Sequence, residues 1–255
     1  MVFQLSDTKK AAPLFKDWQE TLIWSCLQKV MGEIYADDLE NPQSAMAVLG
    51  DFCFFAGKPN DELVTYHPHD HQPCFLIMVP QNEAWAKRIV DEYGTRAKKV
   101  IRYAFKKEGN LFDTSKLRAA ISTLPPQFSL KMIDEEMFHW CKSHTWSKDF
   151  VSQYEDFTAY QKLGIGVVAI KDGIPISGAS SYSSYHGGIE IEIDTKEEFR
   201  RMGLAYACGA KLILACMERN LYPSWDAQNR WSAALAEKLG YRYDYDYVAY
   251  EISEE

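Results

Sequence analysis

The 255-residue sequence predicts an α+β protein: a C-terminal domain with a mixed, mostly antiparallel sheet flanked by helices, preceded by a smaller N-terminal α/β domain. Three observations predict it. Short apolar runs of strand length alternate with stretches of helical spacing throughout. Between residues 164 and 195 three strands follow one another, with Lys171-Asp172-Gly173 and His186-Gly187-Gly188 as their turns, which is hairpin chemistry and implies an antiparallel meander. Pro125–Pro126 in STLPPQF cannot continue a helix, and the domain boundary is drawn there, giving domains of 1–122 and 123–255.

In the first domain, residues 15–32 carry helical spacing through Trp18, Leu22, Ile23, Cys26, Leu27 and Val30 and stop at Gly32. Residues 45–57 read as a strand pair or one long buried strand. CFLIMVP (74–80) is a buried strand feeding a helix that Asn82 caps and Gly94 ends, and 98–107 is a further strand. In the second domain FSLKMID (128–134) is a strand with Phe128, Leu130 and Met132 on one face. Helical stretches at 135–142 and 147–160 precede the meander. A helix over 203–219, LYPSWDA as a strand, a helix over 230–239 stopped by Gly240 and a last strand around 241–252 complete the order.

Composition narrows the function classes. A hydrophobic content of 47% with 14% aromatics describes a folded chain, and a net charge of −8 argues against nucleic-acid and anionic-membrane partners. No run approaches the roughly 20 apolar residues of a membrane span, and the first residues lack a signal-peptide core. The six cysteines show no paired spacing, so reduced thiols in the cytoplasm are expected. TYHPHDHQPC places His67, His69, His71 and Cys74 close together, but Pro68 and Pro73 favour an exposed loop, and no metal is assigned.

Residues 190–217 carry the chemistry. Alternation sends Glu190, Glu192 and Asp194 to one face of a strand and Ile189, Ile191 and Ile193 to the other. The plainer reading is a half-exposed strand with its acids in water. The alternative is a partly covered site in which like charges raise one carboxyl toward the range of a general base. Arg200 and Arg201 then lead to Gly203 at the start of a helix. Helix-start N–H groups without partners, a positive dipole end and no β-carbon in the way suit a phosphate or diphosphate; solvated arginines at an ordinary helix start fit equally. Neither the G-x-G-x-x-G pattern after a parallel strand nor the phosphate-loop pattern is present, which argues against hydride transfer and nucleotide hydrolysis.

At these residues the sequence resembles the GNAT superfamily of acetyl-CoA-dependent acyltransferases. Arg200-Arg201-Met202-Gly203-Leu204-Ala205 is similar to the family's Gln/Arg-x-x-Gly-x-Gly/Ala turn, and NRWSAALAEKLGY (229–241) to its Asn-x-x-Ala/Ser-x-x-Leu-Tyr-x-Lys-x-Gly-Phe segment, through Asn229, Ser232, Leu235, Lys238, Gly240 and Tyr241. The resemblance covers about 123–255. PSWDAQN following RMGLA gives a narrower likeness to the subgroup containing zwittermicin A resistance acetyltransferases.

The resemblance implies acetyl-CoA as cosubstrate, its diphosphate on Arg200, Arg201, Met202, Gly203, Leu204 and Ala205. Its pantetheine would meet Ile193 and Thr195 on the strand, with Asn229 and Ser232 alongside. An amine would attack the thioester directly, with Glu192 as first and Glu190 as second candidate base, and a backbone N–H such as that of Ile193 would face the developing oxyanion. Asp194, Tyr182 and Asp226 are candidate contacts to a cationic substrate. Asn229 also suits an N-cap and Asp226 a turn. The family's usual proton-donating tyrosine is replaced by Ala236, leaving Tyr241, Tyr182, water or an unassisted thiolate. A small-molecule amine, metabolite or antibiotic, is the expected acceptor. Alternatives are a protein or peptide amine, or a silent coenzyme A-binding regulator. The N-terminal domain carries no readable motif and is expected to be a degenerate copy of the same fold or a substrate lid.

Overall fold

The computed structural model describes residues 1–68, 75–109 and 111–253. The chain forms two compact units, Met1–Arg102 with Asp246–Glu255, and Tyr103–Tyr245. The boundary drawn at 122 lies inside the second unit. Pro125–Pro126 ends a helix and starts a turn, closed by Phe128 N–H on Pro125 O at 3.0 Å, instead of serving as a linker.

The first unit contains β1 (Phe3–Gln4), α1 (Thr21–Gln28), β2 (Glu33–Ala36), β3 (Ser44–Leu49), β4 (Phe52–Gly57), α2 (Asp61–Thr65), β5 (Phe75–Pro80) and α3 (Glu83–Tyr93). Strands β1 to β4 pair antiparallel in sequence order, and β4 pairs β5 in parallel. The core centres on Trp85, Phe55, Met78, Leu63 and Ile89, with the Trp85 and Phe55 rings 5.2 Å apart. The helix expected over 15–32 is confined to α1. Lys29 adopts a left-handed conformation (φ 58°) that closes it, and residues 33–36 form an unanticipated strand. Residues 45–57 resolve into the hairpin β3–β4 around Gly50, whose φ of 57° the turn requires.

The chain enters the second unit within β6 (Ala97–Phe105). There follow α4 (Thr114–Ser122), β7 (Ser129–Met132), α5 (Glu135–Lys142), α6 (Phe157–Leu163), β8 (Gly166–Lys171), β9 (Ile174–Tyr185), β10 (Gly188–Thr195), α7 (Leu204–Glu218), β11 (Tyr222–Ser224), β12 (Asp226–Ala227) and α8 (Arg230–Leu239). The chain returns to the first unit within β13 (Tyr243–Ser253). The sheet order is β11-β10-β9-β8-β7, antiparallel except for β10 with β11. This is the predicted meander, with positive φ at Asp172, Gly173 and Gly187 in its turns. The stretch expected as helix over 147–160 forms a short 3-10 turn, and α6 starts only after Asp156, whose carboxylate caps it. Helix α4, which the sequence pattern did not reveal, starts at Asp113 and packs on α7.

One sheet face is apolar. Val167, Ala169, Ala179, Ile189 and Ile191 meet Leu204, Cys208, Leu212 and Ile213 of α7. Each large side chain buried there contributes about 1.5–3 kcal/mol. Gly209 lets α8 approach, since a β-carbon there would stand 2.8 Å from Leu239 Cδ1. The other face carries Gly178 against the Phe150 ring and Ser180 Oγ against Tyr160 Oη at 2.8 Å. Among the described residues no helix is long and apolar enough to cross a membrane. Cys26, Cys53, Cys141, Cys208 and Cys216 are buried free thiols.

Candidate functional site

A gap opens in the second sheet where two strands part. Strand β10 pairs β9 along its whole length, but its parallel partner β11 follows it only from Gly188 to Glu190. The expected strand LYPSWDA breaks at Trp225: β11 ends at Ser224, and β12 joins β6 through Asp226↔Ala104. Buried polar contacts hold the departing segment. Trp225 Nε1 donates to Ser232 Oγ at 3.1 Å, and Tyr241 Oη donates to Pro223 O at 2.6 Å. Residues Ile191–Thr195 are thereby left with a sheet edge along which an extended ligand can lie.

The mouth of α7 adjoins that edge. Arg201 (φ 63°) and Gly203 (φ 81°) are left-handed, and no side chain caps the helix. The N–H groups of its first turn therefore lack intrahelical acceptors. A β-carbon built on Gly203 meets nothing within 4 Å, so the approach is open. Arg200 ties the turn to the strand: Nε donates to Thr195 O at 3.2 Å, and Nη2 lies 3.9 Å from Asp194 Oδ1. Arg201 and Met202 are exposed, Leu204 is buried and Ala205 half-buried. Ile193 leans toward α7. Thr195 spends its hydroxyl on Ser177 Oγ, at 2.7 Å, and its N–H on Asp194 Oδ1, also at 2.7 Å.

The three acids grade from buried to half-exposed. Glu190 is 6% exposed, facing Ser183 on β9 and Ser224 on β11, while Glu192 and Asp194 are half-buried. Tyr185 Oη hydrogen-bonds Ser224 Oγ at 3.0 Å beside Glu190. Burial pushes the Tyr222 phenol up to about 12, and the Glu190 carboxylate adds to the effect. Burial likewise raises Tyr185, so both phenols remain protonated at neutral pH. Between Glu190 and Ile191 the pairing with β9 slips by one residue, and the extra residue is Tyr182, which is buried.

The remaining candidates divide. Asn229 caps α8, its Oδ1 accepting from Ser232 N–H at 2.9 Å, so the N-cap role is realised. Ser232 Oγ is engaged by Trp225. Asp226 is half-buried within β12 instead of standing in a turn. Ala236 is fully buried. Tyr241 is buried with its hydroxyl committed to Pro223 O, and burial raises its phenol well above the ordinary value, both of which weigh against a proton-donating role.

Two groups escaped the sequence reading. Lys196, the residue after β10, holds Nζ 5.5 Å from the Trp146 ring centroid and 6.0 Å from that of Trp140. The other is Lys116 of α4, which lines a cavity at the mouth of α7 together with Lys238, already named in the motif at 229–241. The i, i+3, i+4, i+7 spacing of Lys116, Ala119, Ala120 and Thr123 was the available signal for the second. In the first unit His67 Nε2 lies 3.5 Å from Tyr93 Oη, and burial lowers its pKa. His69, His71 and Cys74 fall outside the described residues. Among the described residues no group of three or more His, Cys, Asp or Glu is placed to hold a metal.

Known proteins share this sequence pattern and this fold. A model of the GNAT acetyltransferase family matches residues 12–250, which takes in the N-terminal region as well as the segment carrying the motifs. A Bacillus subtilis protein described as an uncharacterized N-acetyltransferase, YdfB, is 26% identical over 241 residues, covering 90% of this chain and 89% of its own. The crystal structure of a GCN5-related N-acetyltransferase-like protein from Streptococcus suis superposes with a TM-score of 0.91 at 46% identity, covering 96% of this chain and 98% of that one. A tandem GNAT protein from the clavulanic acid biosynthesis pathway shares the fold at 9% identity, with a TM-score of 0.56 and 98% of each chain covered. The chain belongs to the GNAT acetyltransferase family and is an acyltransferase.

Proposed function

We propose that the protein transfers an acetyl group from acetyl-CoA to a primary amine of a small molecule. The observation that carries this reading is the uncapped mouth of α7, open in front of Gly203 and set beside the parted strands β10 and β11. First-turn N–H groups and the exposed Arg201 suit a diphosphate, as do the adjoining Met202, Leu204 and Ala205. The edge of β10 around Ile193 suits the amide-bearing pantetheine arm, and Asn229 and Ser232 at the start of α8 are its further contacts. Thr195 and Arg200 spend polar groups on one another, so their part is to hold the turn. Acetyl-CoA supplies the activated acyl group.

The chain's own task is to take a proton from an ammonium whose pKa is about 10 and to aim the resulting amine. Glu192 is the base: it is half-buried, on the strand edge, and less enclosed than Glu190, which serves to set the local charge. Asp194, Tyr182 and Asp226 hold the acceptor's cationic end. With Ala236 in the tyrosine position, the thiolate departs without a phenol on α8. Buried reduced cysteines suit the cytoplasm.

The first unit repeats the pairing plan of the second. β1 to β5 run antiparallel, antiparallel, antiparallel, parallel, as β7 to β11 do. It is a second copy of the fold that takes no coenzyme. Saturating acetyl-CoA should raise the melting temperature, calorimetry should count one site per chain, and a panel of small amines should show acetyl-CoA consumption. Absence of any thermal shift would remove the coenzyme reading. Turnover with peptides but not with small amines would move the acceptor to a protein.

A further inference from the structure

We propose that the acceptor is an amine that also carries a carboxylate, lying on the face of β10 away from α7 with that carboxylate on Lys196; this rests on the chain being a small-amine acetyltransferase. Alternation along β10 continues one residue past its end, because Lys196 N–H donates to Ile176 O at 2.9 Å and keeps step with β9. Glu192, Asp194 and Lys196 therefore share one face, while Ile191 and Ile193 turn toward α7. Two acids and one cation stand in a row, with Glu192 and Lys196 about 13 Å apart along the strand.

The segment after α5 covers the cationic end of that row. The Phe150 ring lies over Gly178, the partner of Asp194 on β9. Trp146 meets Phe150 edge-on at 5.7 Å, and Trp140 lies 6.1 Å from Trp146. His144 stacks on Trp140 at 3.8 Å and fixes its plane. Lys196 Nζ faces both indoles, 5.5 Å from the Trp146 centroid and 6.0 Å from that of Trp140. All three side chains are half-buried, so a ligand can reach them, and all belong to the second unit.

The ammonium has no counter-ion of its own. Among the described residues Lys196 makes no salt bridge: Asp194 leans to Arg200 Nη2 at 3.9 Å, and Glu197 and Glu198 are exposed. Trp146 Nε1 is buried and has no acceptor among the described residues, a costly state for an indole N–H. One ammonium and one N–H match the two oxygens of a carboxylate. A phosphate, with more charge and more oxygens, would call for further donors. The diphosphate of the coenzyme is provided for at the mouth of α7, the helix that packs on the opposite face. With Glu192 and Asp194 at the ammonium end, the row selects an amine by the anion at its far end.

The test compares a series of ω-amino acids with n-alkylamines of matching length as acceptors for acetyl-CoA, using the full chain. Wild-type kcat/KM should be about tenfold or more higher for the best ω-amino acid than for its alkylamine counterpart, the scale of one charge-assisted contact. Lys196→Met keeps the stem and drops the charge; it should bring that ratio toward one by raising KM rather than by lowering kcat. Lys196→Arg should keep most of the preference, and Trp146→Phe, which retains a ring without the N–H, should lower it several-fold. Melting temperature is the control for folding, since a Lys196 that merely clamps the covering segment would move stability and both amine series alike. Indole fluorescence, titrated with the ω-amino acid in the presence of coenzyme A, reads binding without turnover. Equal wild-type kcat/KM for the two series, or a Lys196→Met loss shared by both, would overturn the carboxylate assignment and leave amine acetylation standing. Neither turnover nor a fluorescence change with any member of either series would overturn both.

Discussion

The two units each present a strand, a turn, a helix and a parallel strand, and they differ at the start of the helix and in how far the parallel strands pair. In the first, α2 spans five residues, carries Asp61 and Glu62 in its opening turn, and is capped by Asn60 Oδ1, which accepts from Glu62 N–H at 2.9 Å and Leu63 N–H at 3.3 Å. Strands β4 and β5 pair from Phe52 to Phe55. The contact extends at both ends through Ile77 N–H to Asp51 O (2.7 Å) and Gln81 N–H to Phe55 O (3.0 Å). Gln81 Oε1 accepts from Gly57 N–H and Trp85 Nε1 donates to Gly57 O, so the strand end is fully engaged. In the second unit the helix has fifteen residues and no cap, and the strands separate after three pairs. The same strand plan either satisfies its own amides or leaves them for a ligand. Asn60 satisfies the helix-start amides of the first unit, and those of α7 have no side-chain cap.

The acids mark the sharpest contrast, since β4 reads Phe-Cys-Phe-Phe-Ala-Gly where β10 carries Glu190, Glu192 and Asp194. Glu192→Gln should lower kcat by about a hundredfold or more, the usual worth of a general base, with melting temperature unchanged; steady-state rates at saturating amine test this. Unaltered turnover would transfer the role to Glu190. Gly203→Val should come next. A branched residue at φ 81° strains the turn and fills the open approach, so coenzyme affinity should fall about tenfold or more and stability by about 1–2 kcal/mol. Calorimetry and denaturant unfolding separate the two effects.

Smaller effects concern the supports. Tyr241→Phe removes the donor to Pro223 O and should cost about 1–2 kcal/mol of stability while leaving kcat close to wild type. A large loss of kcat without loss of stability would restore Tyr241 as proton donor. Asn60→Ala should cost about 1 kcal/mol and leave coenzyme affinity unchanged, because the cap serves only the first unit. Appearance of a second coenzyme site in that variant would break the contrast between the units.

Much of the second unit was legible in the sequence because its signals are local. Alternation in EIEID, Gly at both hairpins and the N-cap and stop of 229–240 report on neighbouring residues. What stayed hidden depends on distant partners. The split at Trp225 is invisible in LYPSWDA, since alternation is the same whichever sheet a strand joins. Helix α4 was missed because only Leu117 and Ala120 are buried, too sparse a stripe beside two prolines. The matching strand plan of the first unit was hidden because Lys58-Pro59-Asn60 keeps neither the arginines nor the glycine of the open turn, and only the strand pairing shows it. Asn229 shows the opposite limit. Its residue type fitted two roles equally well, and the capping bond was visible only in three dimensions.

Strand β13 imposes an order on synthesis. Its residues from 246 onward complete the first unit, where Tyr250–Ser253 pair with β5. A ribosome making this chain produces nearly all of the first unit, then the whole of the second, and only afterwards the strand that the first still lacks. The N-terminal unit, although translated first, is the last to close. Until then β5 presents an edge without its antiparallel partner β13.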